Sequence, residues 1–233
     1  SGGLNFRIEA EAPAVVYVDD DYFGLADDEL VAHDRLPDWF AIVGYDAFAT
    51  IQEAVDAVAP GGIVHVAAGL YVENVVVDRA ASILGPNTGI NPNGGGRGPE
   101  AILVPASIQV AYGALIDVAA SDVTIDGLLL DGDNPALTSG FLNTVGADMD
   151  TREGITVYEN DVHRLAVRNT ILRNFSYFGV TVFGGSYSAP ATSGHVIENN
   201  LIRDMGTYDA ASGIAWWGGG VLLYNDQIGR AHV

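Results

Sequence analysis

The chain has 233 residues, 48% of them hydrophobic and 29 of them glycine. It lacks the run of roughly eighteen consecutive apolar residues that a membrane-spanning helix needs, so membrane insertion is not expected. Thirty acidic residues face ten basic ones, all ten arginine, and the net charge of −20 disfavours nucleic acid and anionic lipid as partners. Cysteine is absent, which removes disulfides, thiolate metal sites and cysteine nucleophiles.

The first apolar run, Ala14 to Val18, leads into Asp19-Asp20-Asp21 and a polar, irregular stretch that reaches Tyr45. Residues 1–45 therefore read as an N-terminal extension with one edge strand and a long loop. Asp19, Asp20 and Asp21, with Asp27, Asp28 and Glu29, offer the hard oxygen ligands that suit calcium. They lack the glycine-punctuated spacing of a known calcium loop, so a solvated acidic edge without metal is expected. Thr50 to Val58 then places Ile51, Ala54, Val55 and Val58 on one helical face before Pro60-Gly61-Gly62 stops it. Thr50 and Glu53 have the spacing of a capping box, which favours a helix start at Thr50.

From Ile63 the helical period gives way to short strands separated by Gly, Asn and Asp. They are Ile63 to Val66, Val72 to Val77, Ser82 to Leu84, Ala101 to Val104, Ala114 to Val118 and Val123 to Leu130. Gly85 to Gly98 has the composition of an external loop inserted between two of them. The later half repeats itself. Gly154-Ile155-Thr156-Val157-Tyr158, Gly179-Val180-Thr181-Val182-Phe183 and Gly213-Ile214-Ala215-Trp216-Trp217 share one pattern. Interleaved with it run Leu165-Ala166-Val167-Arg168-Asn169-Thr170-Ile171 and His195-Val196-Ile197-Glu198-Asn199-Asn200-Leu201. An earlier copy of this second pattern, Val123 to Leu129, carries Gly127 where the others place asparagine.

Two interleaved strand types recurring every few tens of residues imply a solenoid, because one unit buries its apolar face only when a neighbour stacks on it. The expected fold is all-β, with about six or seven coils stacked at roughly 4.8 Å and a short capping helix at the N-terminal end. Stretches without alternation, Gly132 to Glu153 and Gly184 to Gly194, are expected to project as loops.

Residues 46–226 resemble the right-handed parallel β-helix proteins of the pectin-lyase-like superfamily. The likeness rests on Phe48-Ala49-Thr50-Ile51-Gln52-Glu53-Ala54-Val55, on Val64-His65-Val66-Ala67-Ala68-Gly69, and on Tyr71-Val72-Glu73-Asn74. Together these resemble the capping helix and first coil of that superfamily. Asn169 and Asn199 resemble the asparagines that bond between coils at its tight turn, and Gly127 interrupts that column. The resemblance implies a bacterial protein, secreted or at the cell surface. Neither the aspartate triad of polygalacturonase-type hydrolases nor the arginine-centred motif and calcium carboxylates of pectate lyases is visible. Whether the chain is an enzyme, hydrolase or lyase, is thus left open.

Strand alternation puts Tyr158, Phe183 and Trp217 in one outward column, the rings a sugar-binding strip needs. The competing expectation is that the Gly184 to Gly194 loop folds over them. Asp131, followed by Gly132 and Asp133, together with Glu159 and Asp161, supplies the carboxyls from which a glycosidase pair would be drawn; as turn-forming residues they need no such role. His163 and His195 sit at strand starts without a second ligand at metal spacing, so no metal site is expected there. The expected function is extracellular recognition of a polysaccharide or cell-surface glycan, with or without cleavage. The alternative is a non-catalytic structural or adhesive module of the cell surface.

Both termini look non-native. Ser1-Gly2-Gly3 has the composition of a processing remnant, and Ile228 to Val233 matches what a common sequencing adapter encodes in one frame. Residues 227–233 are expected to be a foreign tail, with the parent protein continuing beyond residue 226.

Overall fold

The computed structural model describes residues 11–33, 40–158, 161–183, 192–206 and 218–224, and the backbone of 208–209 and 214–215. Strand β1 (Val15–Val18) comes first, followed by a 3₁₀ turn at Asp20–Tyr22 and a small antiparallel pair, β2 (Leu30–Val31) and β3 (Ala41–Ile42). After β4 (Ala47–Phe48) and helix α1 (Ile51–Ala57) the chain winds through turns of three strands each. The first turn is β5 (Gly62–Val66), β6 (Gly69–Val72) and β7 (Val75–Val77). The second is β8 (Ala81–Leu84), β9 (Ala101–Val104) and β10 (Gln109–Val118), and the third is β11 (Thr124–Asp126), β12 (Leu129–Asp131) and β13 (Thr151–Val157). The fourth is β14 (Ala166–Arg168), β15 (Ile171–Arg173) and β16 (Phe178–Phe183). The last comprises β17 (Val196–Glu198) and β18 (Leu201–Arg203), a short antiparallel pair β19 (Tyr208–Asp209) and β20 (Ile214–Ala215), and β21 (Gly219–Tyr224).

Equivalent strands of successive turns pair in parallel, giving three sheets that wrap one core. The first runs β4-β1-β5-β8-β11-β14-β17, the second β6-β9-β12-β15-β18 and the third β7-β10-β13-β16-β21. The chain is thus an all-β parallel β-helix with a short helix at its N-terminal end. Among the described residues it makes five complete turns, fewer than the six or seven that repeat spacing suggests, because long insertions occupy several corners.

The core is three columns of inward residues. Val16, Val64, Ile83, Ile125 and Val167 stack from the first sheet, Tyr71, Leu103, Leu130 and Leu172 from the second, and Val77, Val118, Val157 and Val182 from the third. All are buried. Each such aliphatic side chain contributes roughly 1.5 to 3 kcal/mol by leaving water, which no isolated turn achieves.

Helix α1 closes the N-terminal end with buried Ile51, Ala54, Val55 and Val58. Thr50 accepts the Glu53 amide N–H at 3.2 Å, as a cap should, and its hydroxyl donates to the Glu53 carboxylate at 2.9 Å. The next two helix N–H groups, of Ile51 and Gln52, donate to Glu73 from the first turn at 2.8 and 2.9 Å. The Gln52 side chain then exchanges two hydrogen bonds with the backbone of Val76, taking the place of a strand beside β7. Strand β1, expected at an edge, instead pairs with β5 over its whole length and with β4 on its other side.

The register corrects one repeat. The strand that continues β13 and β16 is β21, pairing Val180 with Val221 and Phe183 with Tyr224. Ile214 and Ala215, expected in that place, pair antiparallel with β19 instead.

Candidate functional site

The corners decide what the outer faces present. Between the first and second sheets the turn is two residues long in every coil but the second, where residues 85–100 are inserted, and Gly127, Asn169 and Asn199 all take positive φ there. The Asn169 amide donates to Asp126 one turn earlier at 2.9 Å, while the Asn200 carbonyl oxygen accepts the Thr170 N–H from the other side at 2.9 Å. Gly127 interrupts the asparagine column because a Cβ there would overlap the backbone of Asn87 and Thr88. The Gly85 to Gly98 segment is not a free projection: Arg97 forks onto Glu100 at 2.7 Å and donates to the Asn169 carbonyl at 2.7 Å.

The corner between the second and third sheets carries residues 132–150, and this insertion walls a groove of about 450 Å³ on the outer face of the second sheet. The floor is built by register. Val104, Asp131, Arg173 and Arg203 occupy the same outward position on β9, β12, β15 and β18. Ile102, Pro135, Val145 and Ala147 give the groove apolar flanks, and Asp133, Asn174 and Asp204 its remaining polar lining.

Asp131, a sequence candidate, lies in this groove and is buried. One of its oxygens accepts from Arg173 Nε at 2.8 Å and Nη2 at 2.7 Å, and the other accepts from Asn174 at 2.7 Å and from the Asp133 N–H at 3.2 Å. Both oxygens are therefore engaged. Asp133 differs: burial, then the negative charges of Asp131, Asp150 and Asp148, raise its pKa above the ordinary carboxylate value. Asn143 ties the inserted loop down by donating to Asn174 at 2.9 Å and to the Asp204 carbonyl at 3.2 Å. Arg173, Arg203 and Asn143 were missed by sequence reasoning. Aligning Leu130-Asp131 with Leu172-Arg173 and Ile202-Arg203 would have placed the two arginines in one column with Asp131.

The outer face of the third sheet carries the aromatic column. The rings of Tyr158 and Phe183 are 6.0 Å apart and tilted by 48°, and Phe183 stacks on Tyr224 at 4.8 Å and 8°. Tyr224 thus occupies the third place expected of Trp217, which lies outside the described residues, as do Glu159 and most of the Gly184 to Gly194 loop. Phe183 and Tyr224 spend one ring face on each other. The Tyr158 hydroxyl donates to both oxygens of the buried Glu153, at 3.0 and 2.8 Å, and Thr181 donates to the same carboxylate at 3.0 Å. Burial and the Glu153 charge raise the Tyr158 pKa, so its proton stays in place.

Asp161 lies at the corner between the third and first sheets, away from Asp131, and its carboxylate bonds to His163 Nε2 at 2.9 Å. The structure therefore gathers Asp131 with Asp133 and Tyr158 with Phe183, and assigns Asp161 to a different corner. Near the N-terminal end, ligand oxygens of Asp19, Asp20 and Asp21 lie within 4.8 Å of one another. Asp19 already accepts the Asp21 N–H, and Asp20 accepts that of Leu70, both at 3.1 Å. Among the described residues no helix is long and apolar enough to cross a membrane.

No family model matches the chain, and comparison with curated proteins and with solved structures returns no match either.

Proposed function

We propose that this protein is a glycan-recognition module of the pectin-lyase-like type, which holds an extended polysaccharide along the groove on its second sheet. The observation that carries this reading is the groove floor. Successive turns place Asp131, Arg173 and Arg203 at one strand spacing from each other, roughly 4.8 Å, beside apolar Ile102, Val104 and Val145. A sugar polymer offers the complement, with apolar ring faces for the flanks and hydroxyls for the arginine forks and the Asp133 carboxyl. An exposed position on the cell surface or in the medium suits such a partner.

The geometry favours binding over cleavage at this place. A glycosidase needs a pair of carboxyls, one to attack or to activate water and one to protonate the leaving group, whereas both Asp131 oxygens are already bonded and Asp204 is paired with Arg203. Asp131 orients Arg173, and Asp133, which accepts the Asp148 N–H, is the groove carboxyl with no arginine on it. A panel of neutral and acidic oligosaccharides titrated calorimetrically, with a reducing-end assay in parallel, tests this. Saturable binding that Arg203→Ala weakens about tenfold and Tyr158→Phe leaves alone supports the groove; equal loss in both variants, or no binding to any glycan, removes it. Release of reducing ends by the same preparation would overturn the non-cleaving reading alone.

A further inference from the structure

The corner between the third and first sheets holds an arrangement that glycan binding does not use. His163 Nε2 meets Asp161 Oδ1 at 2.9 Å, and His163 Nδ1 meets Ser193 Oγ at 3.0 Å. A carboxylate only accepts, so Nε2 carries the ring proton and Nδ1 presents its lone pair to the serine hydroxyl. We infer that Ser193 is a nucleophile activated by His163, with Asp161 as positioning residue, and that this corner hydrolyses small carboxylic esters.

Three features of the fold prepare the arrangement. First, the chain does not have to bring Ser193 and His163 together by side-chain reach, because the two are bridged as parallel neighbours on adjacent turns. The Arg164 N–H donates to the Ser193 carbonyl at 2.9 Å and the Asp122 N–H to the His163 carbonyl at 3.0 Å, so both backbones are pinned. Second, the His163 backbone N–H donates to Ser121 Oγ at 2.9 Å, which ties the His163 backbone to a third turn. Third, Asp161 has φ of 68°, which folds the chain back so that its carboxylate reaches the ring two residues on. Two further charges beside the ring, Asp122 and Arg164, are spent on each other in a two-pronged pair at 2.5 and 2.6 Å. His163 is partly open, its side chain 24% exposed, and Ser193 is half-buried.

The relay has the chemical roles of a serine hydrolase with the two ring nitrogens exchanged. The Ser193 oxygen bonds to the ester carbonyl carbon as its proton passes to His163 Nδ1. That proton then goes to the alkoxide oxygen as the carbon–oxygen bond breaks and the alcohol leaves. Water, giving a proton to the same nitrogen, attacks the acyl group and returns the proton to Ser193 as the carboxylic acid departs. Neither metal nor cofactor is required for the balance.

The test is a fluorophosphonate probe, which reports the nucleophile directly, followed by peptide mass spectrometry and by p-nitrophenyl acetate hydrolysis. The expected result is labelling at Ser193, lost in Ser193→Ala and slowed at least about tenfold in both His163→Ala and His163→Gln, all three retaining the wild-type circular dichroism. Asp161→Asn should lower kcat for the ester with KM unchanged, and Asp161→Glu should restore part of the loss, because the ring loses and then regains the carboxylate that orients it. If Ser193 is unlabelled, or is labelled equally fast in whichever His163 variant folds, the assignment is wrong. Since the groove variants are read by glycan titration and these by labelling, either reading can fail without the other.

Discussion

The corner between the first and second sheets and the corner between the second and third solve the same geometric problem in opposite ways. At the first, two residues turn the chain in the later coils, and side-chain amides from Asn169 and Asn200 bind one turn to the next. At the second, the third turn admits residues 132–150, and the join is secured by a charge pair, Asp131 with Arg173, and by Asn143. Where the corner stays two residues long it is held by side-chain amides matched to the coil spacing, Asn169 on Asp126 and Asn200 on the Val167 carbonyl. The insertion at residues 132–150 is held by groups that also line a groove, so structural bonds and ligand-facing chemistry share residues there.

The largest effect should come from breaking the tight corner. Gly127→Val would need a strained φ of about +78° and would drive its side chain into Asn87 and Thr88, so we expect a loss of about 4 kcal/mol in urea unfolding. At the other corner, Arg173→Ala leaves the buried Asp131 without its guanidinium. Arg173 is about a third exposed, so a loss of about 2 kcal/mol is expected, below that of a fully buried pair. Adding Asp131→Asn to Arg173→Ala should recover part of that loss, and a double variant no better than the single one would mean the pair is not what fastens the corner. Val145→Ser, on the exposed wall, should alter unfolding by no more than about 0.5 kcal/mol while weakening glycan binding.

Much of this contrast was written in local sequence. The helix from Thr50, the alternating strands and the asparagines at 169 and 199 each announce themselves within a few residues, because their causes are short-range: capping, alternation and positive φ. The groove does not. Asp131 meets Arg173 through strand register between turns, and the insertions make the spacing of turns irregular, so no local period reveals the pairing. The same irregularity explains why Gly213 to Trp217 imitates a strand of the third sheet while Gly219 to Tyr224 forms it. Gly127 was legible as an exception but not as a necessity, since its reason is a loop some forty residues earlier in the chain.

The smallest effect sharpens the comparison most. Burial and neighbouring carboxylates raise the pKa of Asp133, so the folded state holds its proton more tightly than the unfolded chain does. From the ordinary value near ~3.9 up to the raised one, the folded state therefore binds more protons, and stability falls as pH rises through that window. Asp133→Asn should remove this slope and stabilise the protein slightly at neutral pH, read as a small rise in melting temperature at pH 7 and none at pH 3. At the asparagine corner Asn169→Asp would set a second carboxyl against Asp126 in place of the amide that donates to it.

The Gln52 side chain, bonded to both backbone groups of Val76, gives the molecule a direction. An amide that imitates a strand satisfies the outward donor and acceptor of Val76 and offers no backbone for another strand to copy, so pairing through that edge of the third sheet is suppressed. An engineer wishing to lengthen the protein would duplicate a unit such as Ala166 to Phe183 and leave the helix alone. The number of turns is then a matter of copying, whereas the place where counting begins is fixed by one glutamine.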